Sequence, residues 1–169
     1  MAGDLETVQD ELTRRHRAAV MFIVYVFALT VLLALLAFAR PFDIDGSGSM
    51  AGALRIVIAV FGLGAVVMRR TMFSAMRLKD IAALGGPAAL LETLYKTTVY
   101  VALLAAAIAV MAFVISLATA DPADMIWFGL VAVAVLLYAY PRRAAWQGVL
   151  RMTAAPASED ATAAKGTIA

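Results

Sequence analysis

Four long apolar stretches dominate the sequence, and the short segments between them carry most of its charge. The stretches cover about residues 18–39, 50–68, 97–120 and 124–140. Each is near the ~20 residues that an α-helix, rising about 1.5 Å per residue, needs to cross a ~30 Å hydrocarbon core. The pattern therefore predicts an all-α integral membrane four-helix bundle of two transmembrane hairpins, occupying residues 18–143.

The segments outside the spans are short. The head, residues 1–17, repeats apolar residues as an amphipathic surface helix does, and a continuation of the first span explains the same residues equally well. Residues 69–96 are predicted to be helical extensions of the second and third spans, meeting at the Gly-Gly-Pro of residues 85–87. The tail, residues 144–169, has few large apolar residues, and its last part is predicted to be disordered.

Apolar residues on the two arms of the 69–96 hairpin are predicted to pack against each other. They are Met72, Met76 and Leu84 on one arm, and Leu90, Leu91 and Leu94 on the other. This contact would hold the two extensions together outside the bilayer.

Basic residues are distributed unevenly along the chain, which predicts an orientation. Twelve of the fourteen Lys and Arg residues lie in the head, in the 69–96 segment and after the fourth stretch, from residue 142 onwards. The outer turns hold only Arg40, and Arg55 lies inside the second stretch. The positive-inside rule therefore predicts that both termini are cytoplasmic, and the predicted location is the bacterial inner membrane.

The amino-acid composition excludes several kinds of catalytic and metal-binding site. Hydrophobic residues make up 64% of the chain and charged residues 15%, as in an integral membrane protein. Four spans take up about half of the 169 residues, and the rest is too short for a soluble catalytic domain. There is no Cys, and the one His, His16, lies outside every apolar stretch. Thiolate, iron–sulfur and multi-His metal sites within one chain are therefore excluded, and no cofactor is predicted.

The size and four-helix plan resemble a duplicated rotary-ATPase proteolipid and, more loosely, a small multidrug exporter. Both families rely on a carboxylate inside the membrane. All twelve Asp and Glu residues lie outside the apolar interior of the four spans. The resemblance therefore extends to the number of helices and not to transport chemistry.

The third span carries a stripe of small residues suited to close helix packing. In lipid, helices associate largely through such close approach of their backbones. Successive members are four and three residues apart in alternation, and this 3.5-residue period predicts a straight seam in a left-handed crossing. The stripe is Thr98, Ala102, Ala105, Ala109, Ala112 and Ser116.

Arg55 is the one formal charge well inside an apolar stretch. Three interpretations remain open: an ion pair with an outer carboxylate, a side chain that snorkels to the interface, and a contact with an anionic lipid head group or substrate. Asp121 and Asp124, or Asp43 and Asp45, are the candidate partners at the same boundary.

The first outer turn resembles the opening half of an EF-hand calcium loop. Asp43, Asp45 and Ser47 stand at the first three ligand positions, and Gly48 stands at the sharp turn. The bidentate Glu expected at the last position is replaced by Leu54. A polar, glycine-rich reversal between two spans explains the same residues without a metal.

These features favour a non-catalytic accessory or scaffold subunit of a larger membrane complex, such as a respiratory or photosynthetic one. The expected partners are membrane lipids and other membrane protein subunits, and nucleic acid is not expected because the basic residues flank the spans. No residues form a nucleophile, base and stabiliser set, so the chain is not expected to be an enzyme. The alternative function is a small lipid- or solute-handling transporter that uses Arg55.

Overall fold

The computed structural model describes residues 2–39, 48–72 and 74–148 of the chain. These residues include four helices, and each is long and apolar enough to cross a membrane. The helices are α1 (Ala2–Ala39), α2 (Gly48–Met72), α3 (Ala75–Thr119) and α4 (Pro122–Ala139). The predicted all-α architecture of four membrane-spanning helices is confirmed, and the chain is a multi-pass membrane protein.

The α3–α4 hairpin is the centre of the bundle. Both α1 and α2 pack against α3 and α4, but they have almost no contact with each other, so they lie on opposite sides of the central pair. The hairpin closes in a tight turn, because Ala120 adopts a left-handed conformation with a φ of 52° and Asp121 caps α4 directly after it. Buried α4 residues follow the four-and-three spacing of the α3 stripe: Met125, Gly129, Ala132, Leu136 and Ala139.

The head and the first span form one helix. α1 runs from Ala2 to Ala39 with no break between residues 17 and 18. Buried residues continue along one side of it through both parts: Leu12, Ala19, Ile23, Val26, Thr30 and Ala37. The head is therefore packed on the bundle along the same face that the span uses.

The connection between α2 and α3 is not where the sequence pattern predicts it. α2 ends at Met72, and α3 begins after Ser74, which is in an extended conformation. Gly86, with φ 69° and ψ −171°, bends α3 internally, and the helix resumes at Pro87. The predicted helix break at residues 85–87 is present, but it joins two parts of α3, and the arm before it is not a continuous extension of α2, because α2 ends at Met72.

A second, smaller core lies at one end of the bundle. We call this end the basic end, because Arg14, Arg69 and Arg142 are located there. The predicted packing of Met76 and Leu84 across the hairpin is wrong, since they are 80% and 92% exposed. The residues that form this core come from α1, α3 and the helical turn at 143–148: Leu12, Ala19, Leu78, Leu90, Leu91, Leu94 and Trp146.

Candidate functional site

The small-residue stripe of α3 is buried inside the chain. Ala102, Ala105, Ala109 and Ala112 have no exposed surface, and Thr98 and Ser116 are 4% exposed. The four alanines belong to one apolar core with residues of the other three helices. The stripe therefore packs the bundle itself, and a partner protein would have to use another surface.

The hydroxyl groups of two buried threonines in the spans bond to their own helices. The Oγ1 atom of Thr30 donates to the carbonyl of Val26, and the Oγ1 atom of Thr98 donates to the carbonyl of Leu94, both at 2.9 Å. Such back-bonding satisfies a hydroxyl group in an apolar environment without a partner from another helix.

Arg55 and Asp124 form an ion pair between α2 and α4, at the end opposite the basic end. The Nη2 atom of Arg55 donates to both carboxylate oxygens of Asp124, at 2.9 Å each. Thr119 donates its hydroxyl to Oδ2 of the same carboxylate, also at 2.9 Å. The Asp124 side chain is 15% exposed and that of Arg55 is 46% exposed, so the carboxylate is the enclosed partner.

Asp121, the other carboxylate of the α3–α4 turn, has a different role. Its side chain accepts a hydrogen bond from the backbone N–H of Ala123 at 2.9 Å and caps the first turn of α4. A carboxylate at this position satisfies one of the amides that a helix start leaves unpaired. The structure thus brings together Arg55 and Asp124, and Asp121 serves α4 alone.

α2 and α4 run in the same direction and pack along a line that we call the parallel α2–α4 seam. The ion pair is the first of three contacts along it. At the middle position, Gly62 of α2 lies opposite Val131 of α4. A Cβ atom added to Gly62 would lie 3.7 Å from Cγ1 of Val131, an ordinary van der Waals distance. At the last, the guanidinium carbon of Arg69 lies 4.6 Å from the centre of the Tyr138 ring, a cation–π contact. The contacts recur every seven residues on both helices: Arg55–Asp124, Gly62–Val131 and Arg69–Tyr138.

At the basic end, the segment after α4 is attached to the head of α1. The Nε2 atom of His16 donates to the carbonyl of Pro141 at 2.9 Å, which requires the proton on Nε2. The His16 and Trp146 rings meet edge to face with their centres 5.7 Å apart. Nη2 of Arg143 donates to the hydroxyl of Thr13 at 3.2 Å. Trp146 is not recognisable as a core residue from the sequence, because it stands alone in a segment without apolar periodicity.

A cavity of about 370 Å³ lies beside these contacts, and we call it the basic-end cavity. Residues of α2, α3, α4 and the helical turn that follows α4 line it. Its lining includes Arg69, Leu137, Tyr138, Tyr140, Arg142 and Trp146. The basic and aromatic residues at the ends of the second and fourth spans are a sequence signal that could have indicated this cavity.

The calcium candidates Asp43, Asp45 and Ser47 lie outside the described residues. Within residues 2–39, 48–72 and 74–148, no three His, Asp or Glu residues lie close enough together to hold a metal ion.

Comparison with protein-family models, curated proteins and solved structures gave no match in any of the three.

Proposed function

We propose that the protein is a non-catalytic accessory or scaffold subunit that packs an exposed helix face against a larger membrane assembly, such as a respiratory or photosynthetic complex. Membrane lipids and other membrane subunits are its proposed partners. The proposed location is the bacterial inner membrane with both termini in the cytoplasm, which follows from the distribution of basic residues.

The outer face of α2 is the observation that carries this proposal. Only 17% of the most apolar part of α2 is buried within the chain, against 22% for α1 and 50% for α3. The exposed face has a regular spacing of four, three and four residues, which suits knobs-into-holes packing with a further helix. Its members are Ile56, Val60, Leu63 and Val67, each more than half exposed.

The polar groups near the span boundaries support a structural role. Arg55 contacts Asp124, Arg69 lies over Tyr138, and His16 bonds to Pro141, so each holds one element of the bundle to another. Each of these contacts therefore contributes to the assembly of the chain itself.

Blue-native electrophoresis of membranes dissolved in a mild detergent tests the proposal. The protein is expected to migrate with a larger complex. A lone monomer or a small homo-oligomer would contradict the scaffold function.

A pair of matched variants tests whether the outer face of α2 makes the contact. Leu63→Trp adds bulk to that face, and Leu35→Trp adds the same bulk to α1, where Leu35 is 62% exposed against 67% for Leu63. Lipid accommodates either ring, whereas close helix packing does not. We expect Leu63→Trp to lose co-migration and Leu35→Trp to retain it. Equal behaviour of the two variants would count against α2 as the contact surface.

The alternative, a small lipid- or solute-handling transporter using Arg55, gains support only from the 46% of that side chain that remains exposed beside Asp124. A flux into vesicles that Arg55→Ala abolishes, while the variant stays folded, would favour transport over scaffolding.

A further inference from the structure

The basic-end cavity combines two positive charges with an aromatic wall. Arg69 and Arg142 both line it, and none of the described lining residues is acidic. The Arg69 guanidinium lies over the ring of Tyr138, which fixes its position at the wall. Two arginines that line one cavity bring two positive charges to it, so an anion placed between them is attracted by both.

The position of the cavity relative to the membrane boundary indicates what kind of anion reaches it. Arg69 follows the apolar part of α2, and Tyr138 and Tyr140 lie at the end of α4. Tyr residues are enriched where a membrane protein passes from hydrocarbon to head groups, and lipid phosphates lie just beyond that boundary. The lining therefore stands at the level of the phosphate layer.

The side wall of the cavity is open to the surrounding lipid. Leu137 lines the cavity and is 72% exposed, and Tyr138 and Tyr140 beside it are 43% and 46% exposed. An acyl chain can lie along Leu137 while its head group occupies the cavity, whose volume of about 370 Å³ falls in the ~300–1,000 Å³ range of small-molecule sites.

We propose that the basic-end cavity is a binding site for a phosphate anion, held between Arg69 and Arg142 and supplied by the head group of an anionic phospholipid. This site is independent of the proposed scaffold function, because it requires no protein partner. The two arginines supply the N–H groups that match phosphate oxygens, and the open wall at Leu137 admits the lipid from the side.

Binding of defined ligands to delipidated protein in detergent tests the site. The probes are phosphatidylglycerol, phosphatidylcholine and inorganic phosphate without lipid, with bound molecules counted by native mass spectrometry. We expect one phosphatidylglycerol per chain, bound more tightly than phosphatidylcholine, whose choline cation cancels the phosphate charge. Equal binding of the two lipids would overturn the proposal. Inorganic phosphate that displaces phosphatidylglycerol at equal concentration would overturn its assignment to lipid.

Three arginine variants distinguish binding of phosphatidylglycerol in the cavity from nonspecific attraction of the lipid to a basic surface. Arg142→Gln should weaken phosphatidylglycerol binding about fivefold, the effect of about 1 kcal/mol per basic residue near an anionic head group. Arg69→Gln should weaken it at least as much. Arg70→Gln is the matched control, because Arg70 is adjacent and exposed but does not line the cavity. An equal loss in Arg70→Gln and Arg142→Gln would show diffuse attraction and overturn the site.

Folding of the variants is checked by circular dichroism, because Arg69→Gln also removes the contact with Tyr138. Arg142 is exposed, and its backbone carbonyl, which accepts from Ala145 and Trp146, is unchanged by substitution of the side chain. Arg142→Gln therefore decides the question on its own if Arg69→Gln is destabilised. Unchanged phosphatidylglycerol binding in a folded Arg142→Gln protein would overturn the proposal.

Discussion

Arg55 and Asp124 stand at one end of the parallel α2–α4 seam, and one guanidinium nitrogen of Arg55 contacts both oxygens of the Asp124 carboxylate. The contact joins two helices that touch each other less than either touches α3. Its counterpart at the basic end is the cation–π contact of Arg69 with Tyr138. α2 is therefore attached to α4 by an arginine at each end.

Asp124→Asn should lower the free energy of unfolding by about 1 kcal/mol, near the upper end for partly exposed ion pairs. The loss should be shared with Arg55→Gln, so the double variant is expected to be little worse than either single one. Unfolding in mixed detergent micelles, followed by circular dichroism, measures the effect. Asp121→Asn is the control and should be neutral within a few tenths of a kcal/mol, since Asn caps a helix as well as Asp does. Full additivity of Arg55→Gln and Asp124→Asn would show that the pair contributes no coupling energy.

Leu in place of Ala105 or Ala109 should destabilise the bundle. Neither alanine has exposed surface, and overpacking a filled interior typically costs about 1–3 kcal/mol. Ala107→Leu adds the same atoms to the same helix at a position that is only partly buried, and it should be tolerated. The midpoint of thermal unfolding in detergent compares the three. Equal tolerance at all three positions would mean that the stripe does not form a tight seam.

Trp146→Ala should open the basic-end core. Trp146 is 2% exposed, and truncation of a buried Trp costs roughly 3–5 kcal/mol. Hydrogen exchange should show faster exchange in residues 7–17 of α1, which pack on the same core. Trp127→Ala is the control, since Trp127 is 70% exposed and its loss should leave that exchange unchanged. Unaltered protection of the head in Trp146→Ala would contradict this account of the core.

Gly86→Ala should destabilise the bend in α3. A φ of 69° with a ψ of −171° is a backbone conformation that is essentially restricted to glycine, and a side chain there costs about 1–3 kcal/mol. Gly52→Ala is the control, because a Cβ atom there meets nothing within 4 Å and the residue is helical. That control should be neutral or slightly stabilising. Unfolding free energies that fall equally in both variants would indicate that Gly86 is not under this constraint.

Single cysteines in this cysteine-free chain test the proposed orientation. Leu84→Cys lies at the basic end and is highly exposed, and Ala120→Cys lies in the turn between α3 and α4. In bacterial spheroplasts, a membrane-impermeant maleimide should label Ala120→Cys directly. Leu84→Cys should be labelled only after the membrane is permeabilised. The reverse pattern would place the basic end outside.

The spans and the α3 stripe could be predicted from the sequence because both follow from local composition. Apolar length marks a span, and small residues at a fixed period mark a face, as Ala105 and Ala109 illustrate. The start of α3 could not be predicted, since Ser74 carries only a weak turn signal. Gly86 and Pro87 carry a strong one, but a bend within a helix and a turn between two helices have the same local signature.

The candidate sites were less predictable because they depend on which helices are neighbours. Several carboxylates stood at the same boundary as Arg55, and the choice of Asp124 follows from the parallel seam of α2 and α4, which no local pattern encodes. Trp146 gave no signal for the same reason, since its burial depends on the head of α1 reaching the end of α4.

The spacing of Arg55 and Arg69 also bears on the membrane around the protein. The two residues are fourteen positions apart, which corresponds to about 21 Å along a helix. That distance is shorter than the ~30 Å hydrocarbon core of a typical bilayer. Because α4 holds both guanidinium groups in place, they cannot extend freely to make up the difference. Either the ion pair with Asp124 holds the charge of Arg55 inside the outer boundary of the hydrocarbon core, or the bilayer beside α2 thins to reach it.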